Sequence, residues 1–301
     1  TREEVEFFLQ GFTNGVIADF QASALLMAIV SQGLTDQELA DWAECAASMA
    51  TPLDLAGIEG PKVSKHSTGG VGDKTSLIVV PLVAAAGITV PVVATRGLAH
   101  CGGTLDKVES IPGFNSRLNG TQLTAALQKA GSAFLGQTQE LAPVDRKLDV
   151  LRNSTGTVEC IHLIAASILS RKLTEKTDAL VVDVKTGSGA LMKKMTDSRR
   201  LAQALVTVGK RLNQKVMAVI TDMDQPLGNA VGNALEVMEA VEAMRGGGGP
   251  EDLIELSLEL GSRIVCMAHP DRTLESAKDQ LFKLLNEGAA LTKFRQMLEA
   301  Q

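Results

Sequence analysis

The sequence predicts an α/β protein of two lobes, one all-helical and discontinuous, the other built on a mostly parallel sheet. Three observations lead there. Up to Pro52, apolar residues recur at helical spacing and no strand pattern appears. After Pro52, short β-branched runs alternate with helical stretches, the order that gives parallel strands covered on both faces. Between Val144 and Leu173 the pattern turns helical again, with an apolar stripe at Val158, Ile161, Ile164, Ala165, Ile168 and Leu169. That stripe is expected to return the chain to the first lobe. The helical lobe is therefore read as 1–47 with 144–176, and the α/β lobe as 48–143 with 177–301.

Element by element, Thr1-Arg2-Glu3-Glu4 fits a capping box, and Val5, Phe8, Leu9 and Phe12 follow at helical spacing. A second helix is expected over Gln21 to Val30. A third opens on another capping box, Thr35-Asp36-Gln37-Glu38, and runs to Met49. Lys62 to Lys65 reads as a short strand, followed by a glycine-rich turn from Gly69 to Asp73 and a helix from Lys74 to Ala86 that Gly87 ends. Thr89 to Thr95 reads as a buried strand, Arg96 to Gly103 as a second glycine-bearing loop, and a helix starts near Thr104. Further strands are expected at Ala133–Leu135, Ala179–Val184 and Val216–Thr221. Helices are expected at Gln122–Lys129, Ser198–Leu212, Ala230–Met244 and Glu251–Met267. Gly246 to Gly249 reads as a flexible loop. There is no internal repeat.

Composition excludes several classes of function. The chain has 301 residues, 29 Lys plus Arg against 35 Asp plus Glu, and a formal charge of −6. Nucleic acid is an improbable partner for such a balance. Aromatic residues are 3%, with no Tyr, too few for a base-stacking platform. Cys45, Cys101, Cys160 and Cys266 form no CxxC pair, so free thiols in a reducing, cytoplasmic setting are expected and a zinc framework is not. The longest apolar run, Leu77 to Ile88, is broken by Pro81 and falls short of the roughly 20 residues of a membrane span. The chain starts at Thr1, directly on a helix start, as a trimmed piece of a longer protein would.

The strongest local signal is Lys65-His66-Ser67-Thr68-Gly69-Gly70-Val71-Gly72-Asp73-Lys74-Thr75-Ser76. Backbone amides of such a loop, a helix start, four hydroxyls and a lysine make an anion site, with phosphate the natural guest. It is no Walker A loop, because Asp73 precedes Lys74, and no dinucleotide fingerprint, because the third glycine is missing. The competing reading is a tight structural turn. Arg96 to Thr104 also joins strand to helix, and loops leaving parallel strands share one edge, so both can meet over one ligand. His100 is read as a packed loop histidine. Arg152, Ser167 and Arg171 form a third group, the last two at i, i+4 on one helix face. They suit carbonyl oxygens or an anionic leaving group. Surface ion pairing with Asp149 or Glu175 is the alternative. His66 is the natural acid beside the phosphate.

Longer stretches make the chain resemble the thymidine phosphorylase and pyrimidine-nucleoside phosphorylase family. They are Lys65 to Asp73, Gly102 to Phe114, Gly136-Gln137-Thr138, Ala142 to Asp145, Ser167-Ile168-Leu169, Val182 to Gly189 and Gly232 to Val237. The resemblance covers essentially the whole chain. It implies the two-lobed nucleoside phosphorylase or phosphoribosyltransferase-like fold, a homodimer joined through the helical lobe, and absence here of a little of the N-terminal lobe and a large C-terminal α/β part. It implies exchange of phosphate for a pyrimidine base, giving free base and an α-(2-deoxy)pentose 1-phosphate, with phosphate as co-substrate and no organic cofactor. Position by position, it implies phosphate contacts at Lys65, Ser67, Ser76 and Thr104, and His66 against the base as proton donor. Arg152, Ser167 and Arg171 are implied at the base's polar edge and Leu98 at its apolar side, with His66, Arg152 and Arg171 as the catalytic set. In one branch of the family it implies a monovalent cation, potassium, near Gly72, Leu227, Ala230 and Glu239.

The chain departs from the family pattern. Ala94 stands where a phosphate serine is usual, a loss worth about 1 kcal/mol. Ala99 and Cys101 replace a Gly and a Thr. Asp149 stands for a tyrosine that flanks the base, Arg171 for a lysine, Asn153 for an Asp and His162 for a Pro. An aspartate facing the base would repel an anionic leaving group or select a different base. Two other readings compete: a degenerate phosphorylase kept as a binding or scaffold protein, and a magnesium-dependent phosphoribosyltransferase of the anthranilate type.

Overall fold

The computed structural model of the protein describes residues 1–246 and 248–301. Gly247, inside the glycine run read as a flexible loop, lies outside the described residues. The chain begins with α1 (Arg2–Thr13), α2 (Asp19–Gln32) and α3 (Asp36–Ser48). Both expected capping boxes form. The Thr1 and Thr35 hydroxyls accept from the amides of Glu4 and Glu38, and those glutamates reach back to the cap residues. Then follow β1 (Val63–Ser67), α4 (Thr75–Ala85), β2 (Val90–Val93), α5 (Thr104–Val108), α6 (Gly120–Ala130) and β3 (Ser132–Leu135).

Next come α7 (Pro143–Thr155) and α8 (Ile161–Glu175), which pack on the first three helices. The sequence reading took this stretch as helical. The structure breaks it at Gly156, whose φ of +67° terminates α7 in the left-handed region, a conformation that costs glycine little. Arg152 accordingly sits in the last turn of α7.

The chain ends with β4 (Ala179–Thr186), α9 (Met195–Arg211), β5 (Lys215–Asp222), α10 (Asn233–Ala243), α11 (Glu251–Ala268), α12 (Leu274–Asn286) and α13 (Ala289–Ala300). Helices α12 and α13 were not expected, although Ala277, Leu281 and Leu285, then Ala290, Phe294 and Met297, are buried at helical spacing. They cover the flank of α4, α6 and α11.

All strand pairs are parallel. The order is β1-β4-β5 in one sheet and β2-β3 in a second, with a parallel bridge between Lys62 and Thr89 joining them edge to edge. Strand β4 is buried along its whole length. Its alternate residues serve two cores, as period-two geometry requires. Ala179 and Val181 pack with α4 and α11, while Leu180, Val182 and Val184 pack with α8, α9 and the helical lobe. The helical lobe thus shares its core with one face of the sheet: Phe12, Trp42 and Leu169 belong to the same apolar cluster as Val182.

Candidate active site at the carboxyl edge of the sheet

Parallel strands deliver their outgoing loops to one edge, and here those loops interlock. The Val71 amide donates to the Gly189 carbonyl at 3.0 Å, tying the loop after β1 to the loop after β4. A Cβ on Gly70 would stand 2.5 Å from Met223 Cγ, in the loop after β5. In the loop after β2, the Asp106 carboxylate accepts from the amides of Gly97 (2.6 Å) and Gly103 (3.1 Å). A Cβ on Gly103 would overlap the Thr95 carbonyl.

The alternation of β1 sorts its functional side chains to two sides. Val63 points to the α4 core, so Lys65 and Ser67 follow it by the two-residue period. Lys65 Nζ donates to Thr75 Oγ1 (2.9 Å) and Ser76 Oγ (2.8 Å) on the first turn of α4. Ser67 Oγ donates to the Asp73 carboxylate and accepts from the Gly69 amide at 3.2 Å. On the other side, Ser64 meets Lys172 and Glu175 of α8, and His66 faces the same helix.

Strand β4 repeats the device. Its α4-facing positions change from Ala179 and Val181 to Asp183 and Lys185 near its carboxyl end. The two pair at 2.8 Å; Lys65 stands 3.9 Å from Asp183, and Lys185 3.8 Å from Asp73. Burial favours neutral Asp73, but Lys185, Lys65 and Lys107 outweigh it and hold its carboxyl far below the usual range. Burial also lowers the Lys65 pKa, against the pull of Asp73 and Asp183.

Between these loops and α7–α8 lies a cleft that opens to solvent. One wall presents Ser67, Thr68, Gly69, Gly102, Gly103 and Thr104; the opposite wall presents His66, Arg152, Ser167 and Arg171, with Leu98, Ile164 and Ile168 as apolar lining. Arg152 is 2% and Arg171 3% exposed. Arg152 Nη2 donates to the Val158 carbonyl at 2.8 Å and its Nε to that of Thr157 at 3.4 Å, so the break after α7 fixes the guanidinium. Arg171 Nη1 donates to Ser167 Oγ at 2.9 Å. Its Nε is buried and meets no acceptor among the described residues. Burial first, then the cations of Lys172, Arg171 and Lys65, push the His66 pKa well below its ordinary value, so this imidazole is neutral at neutral pH.

The cleft thus brings together His66, Ser67, Leu98, Thr104, Arg152, Ser167 and Arg171. Lys65 and Ser76 do not line it. The Lys65 ammonium is drawn back to the hydroxyls of α4 and to Asp183, and Ser76 is its acceptor. Asp149 does not line it either, which corrects the expectation that it faces the base. Its carboxylate lies behind the arginines, 3.5 Å from Arg152 Nη1 and 3.8 Å from Arg171 Nη1, and accepts from Gln137 Nε2 at 3.0 Å. His100 is exposed and holds the Gly189 carbonyl and Lys193. Gly72, Leu227, Ala230 and Glu239 lie outside the cleft, and the last three surround the ammonium of Lys74, whose Nζ stands between them. These residues therefore do not fit a free cation. The sequence reading missed Asp73 as the partner of Ser67, and missed Thr95 and Cys101 in the wall. Burial pushes the Cys101 thiol up to about 11, so it stays protonated and is a poor nucleophile.

Residues 59–291 match the α/β domain of a glycosyl transferase family, and residues 1–50 match that family's helical bundle domain. The pyrimidine-nucleoside phosphorylases of Staphylococcus haemolyticus and Bacillus subtilis are each 48% identical over all 301 residues, and that of Geobacillus stearothermophilus 47%; the chain spans 69% of the length of each. Among solved structures, anthranilate phosphoribosyltransferase from Thermus thermophilus superposes with a TM-score of 0.78 over 100% of this chain and 95% of its own, at 18% identity. That likeness is one of fold.

Proposed function

This chain belongs to the pyrimidine-nucleoside phosphorylase family, and on that premise we propose that its cleft carries out phosphorolysis of a pyrimidine nucleoside or deoxynucleoside, yielding free base and the α-pentose 1-phosphate. The observation that supports this most is the facing of two walls: loop amides and hydroxyls on one side, a fixed pair of guanidiniums on the other.

In this reading phosphate sits on Ser67, the amides of the loop after β1 and Thr104, with Lys65 and Ser76 acting from behind the wall. Ser67 Oγ turns from Asp73 to the ligand when the anion arrives. The base lies against Leu98, Ile164 and Ile168 with its polar edge on Arg152, Ser167 and Arg171. As the glycosidic bond loosens toward an oxocarbenium-like state, phosphate attacks the anomeric carbon from the opposite face and inverts it. The base takes the bonding electron pair, and the arginines stabilise its growing negative charge. His66, neutral in the free protein, contributes an N–H hydrogen bond and not a full proton. Closure of the helical lobe over the sheet edge expels water and aligns the reactants.

The same reading includes a homodimer through the helical lobe. Helix α2 buries Ala22, Leu26 and Ile29 yet exposes Phe20 (76%), Met27 (44%) and Val30 (41%), next to Phe7 (68%) and Val16 (78%). A helix apolar on both faces is normally covered on both. Among the described residues no helix is long and apolar enough to cross a membrane, and the four cysteines are free thiols, in keeping with a cytoplasmic setting.

The test is incubation of the purified protein with uridine, thymidine and deoxyuridine, with and without phosphate, following base release by chromatography. Phosphate-dependent release supports the proposal. No release from a folded protein that nonetheless binds phosphate by calorimetry would return it to a binding role.

A further inference from the structure

The loop between β5 and α10 closes on itself around one side chain. Its residues are Pro226-Leu227-Gly228-Asn229-Ala230-Val231-Gly232. Gly228 has φ +66°, and a Cβ there would stand 2.5 Å from Glu239 Oε2, so only glycine lets the glutamate of α10 approach. The amides of Asn229 and Ala230 donate to the Glu239 carboxylate at 2.8 and 3.1 Å. The carbonyls of Leu227 and Ala230 turn inward with it. Three oxygens, one of them anionic, therefore converge on a single point.

That point is Lys74 Nζ. It stands 2.5 Å from the Leu227 carbonyl, 2.6 Å from the Ala230 carbonyl and 2.5 Å from Glu239 Oε2. An ammonium has three donors, and each has an oxygen. The side chain is fully buried, so the charge has no access to water and depends on this cage. A dissociable metal ion would need the same three oxygens and the same space, next to a fixed positive charge. Burial works against the Glu239 charge, yet the Lys74 ammonium and the two loop amides keep its pKa below the usual carboxylate value.

The cage is mechanically joined to the phosphate wall. Lys74 directly follows Asp73, the acceptor of the Ser67 hydroxyl. A Cβ on Gly72 would stand 2.9 Å from Pro226 Cβ, so the two loops lie in contact. A second buried lysine reinforces the joint: Lys107 Nζ donates to the Asp73 carbonyl and pairs with Glu236 of α10 at 2.7 Å.

We propose that Lys74 is a covalently tethered monovalent cation, a positioning residue that locks the phosphate loop to the loop before α10 and makes the protein independent of added potassium. Lys74 does not line the cleft and touches no reacting group. Its effect on turnover rests on the phosphorolysis reading above; its effect on the fold does not.

The experiment compares thermal unfolding of the whole chain in potassium chloride and in tetramethylammonium chloride at equal ionic strength, for the native protein, Lys74→Ala and Lys74→Thr. Phosphorolysis is measured in the same salts. The native protein is expected to unfold within about 1 °C in the two salts. The variants are expected to unfold at least about 5 °C lower in tetramethylammonium, since a partly buried carboxylate has lost its partner. Potassium, but not the bulky cation, is expected to restore most of that loss by binding the vacated cage. The apparent KM for phosphate is expected to rise about tenfold or more in the variants and to recover with potassium, a response that generic loss of packing would not give. Potassium stabilisation of the native protein would overturn the proposal, and so would variants indifferent to potassium. Should neither variant fold, the native protein's salt response still decides. Because unfolding needs no substrate, absence of phosphorolysis would leave the cation question answerable.

Discussion

Replacing Asp149 by Asn is the sharpest probe of the cleft, because one carboxylate serves two arginines. At 3.5 and 3.8 Å, and with an effective dielectric constant of about 20, each attraction is worth about 4–5 kcal/mol before desolvation. Burying the carboxylate offsets a large part of that gain, so the ion pairs contribute little relative to a purely apolar core. Removing only the carboxylate is another matter. Arg152 and Arg171 stay buried with their charges, and the cost of breaking such a group is about 3–5 kcal/mol. Asp145 tempers it. Burial first, with a contribution from Asp149, raises the Asp145 pKa, while Arg171 and Ser170 lower it. With Asp149 neutral, Asp145 ionises more readily and supplies part of the missing charge. We therefore expect about 3 kcal/mol, or about 5 °C in unfolding temperature for a chain of this length. The arginines would also lose their common anchor, and kcat/KM for nucleoside should fall about tenfold or more. Scanning calorimetry and steady-state phosphorolysis measure both. An unchanged unfolding temperature with full activity would refute the role assigned to Asp149.

Three further outcomes follow from local geometry. Ala99 has φ +52°, a conformation that costs a side-chain-bearing residue about 1 kcal/mol; Ala99→Gly should therefore stabilise the loop after β2, seen as a rise of about 1–2 °C in unfolding temperature, and a fall would show that the turn is unstrained. Gly103→Ala places a methyl against the backbone of Thr95, Arg96 and Gly97; it should lower stability by about 2–3 kcal/mol and weaken phosphate binding in calorimetry, and wild-type affinity would contradict the packing. The depressed pKa of His66 means that the unfolded chain takes up a proton near 6.5 while the native one does not. Its contribution to stability is complete above about pH 6.5 and is lost as pH falls from there toward the native value. Comparing native protein and His66→Gln by calorimetry across that window measures it, and a difference confined to pH above 7 would show the sign to be wrong.

Much of this arrangement can be read in the residues alone, and the limits have physical causes. The capping boxes at Thr1 and Thr35 are local, since donor and acceptor lie within one turn, and both form. Convergence of the loops after β1 and β2 follows from parallel topology. What sequence does not disclose is where a long charged side chain goes. Lys65 neighbours Ser67 in the chain, yet the pull of Asp183 and two hydroxyls takes it behind the wall. Asp149 looked like a residue of the base pocket, yet the arginines on its own side of α7 and α8 draw it away from the ligand space. Lys74 is decided by oxygens more than 150 positions downstream in the chain, beyond any local pattern. The break at Gly156 was visible as a glycine, but Arg152 is what makes it rigid, by binding the carbonyls that the break exposes.

The distribution of buried charge fits the proposed chemistry better than either wall does alone. Beneath the phosphate loop the ions balance: Lys65 and Lys185 stand against Asp73 and Asp183, Lys107 against Glu236, and Lys74 against Glu239. In the proposed reading, a phosphate arriving there would meet amides and hydroxyls over nearly balanced ions, so its ground-state binding would be dipolar and moderate. Across the cleft two guanidiniums stand together. Arg152 and Arg171 share the single carboxylate of Asp149, burial works against ionisation of neighbouring Asp145, and His66 is neutral. In the proposed reading, the two guanidiniums would concentrate positive charge where a departing pyrimidine anion forms, and little of it would act on a neutral nucleoside. Interactions that strengthen only as the bond breaks lower the barrier, whereas equal binding of ground and transition states does not. On the proposed reading, placing the guanidiniums on the base side would thus favour turnover over retention of phosphate.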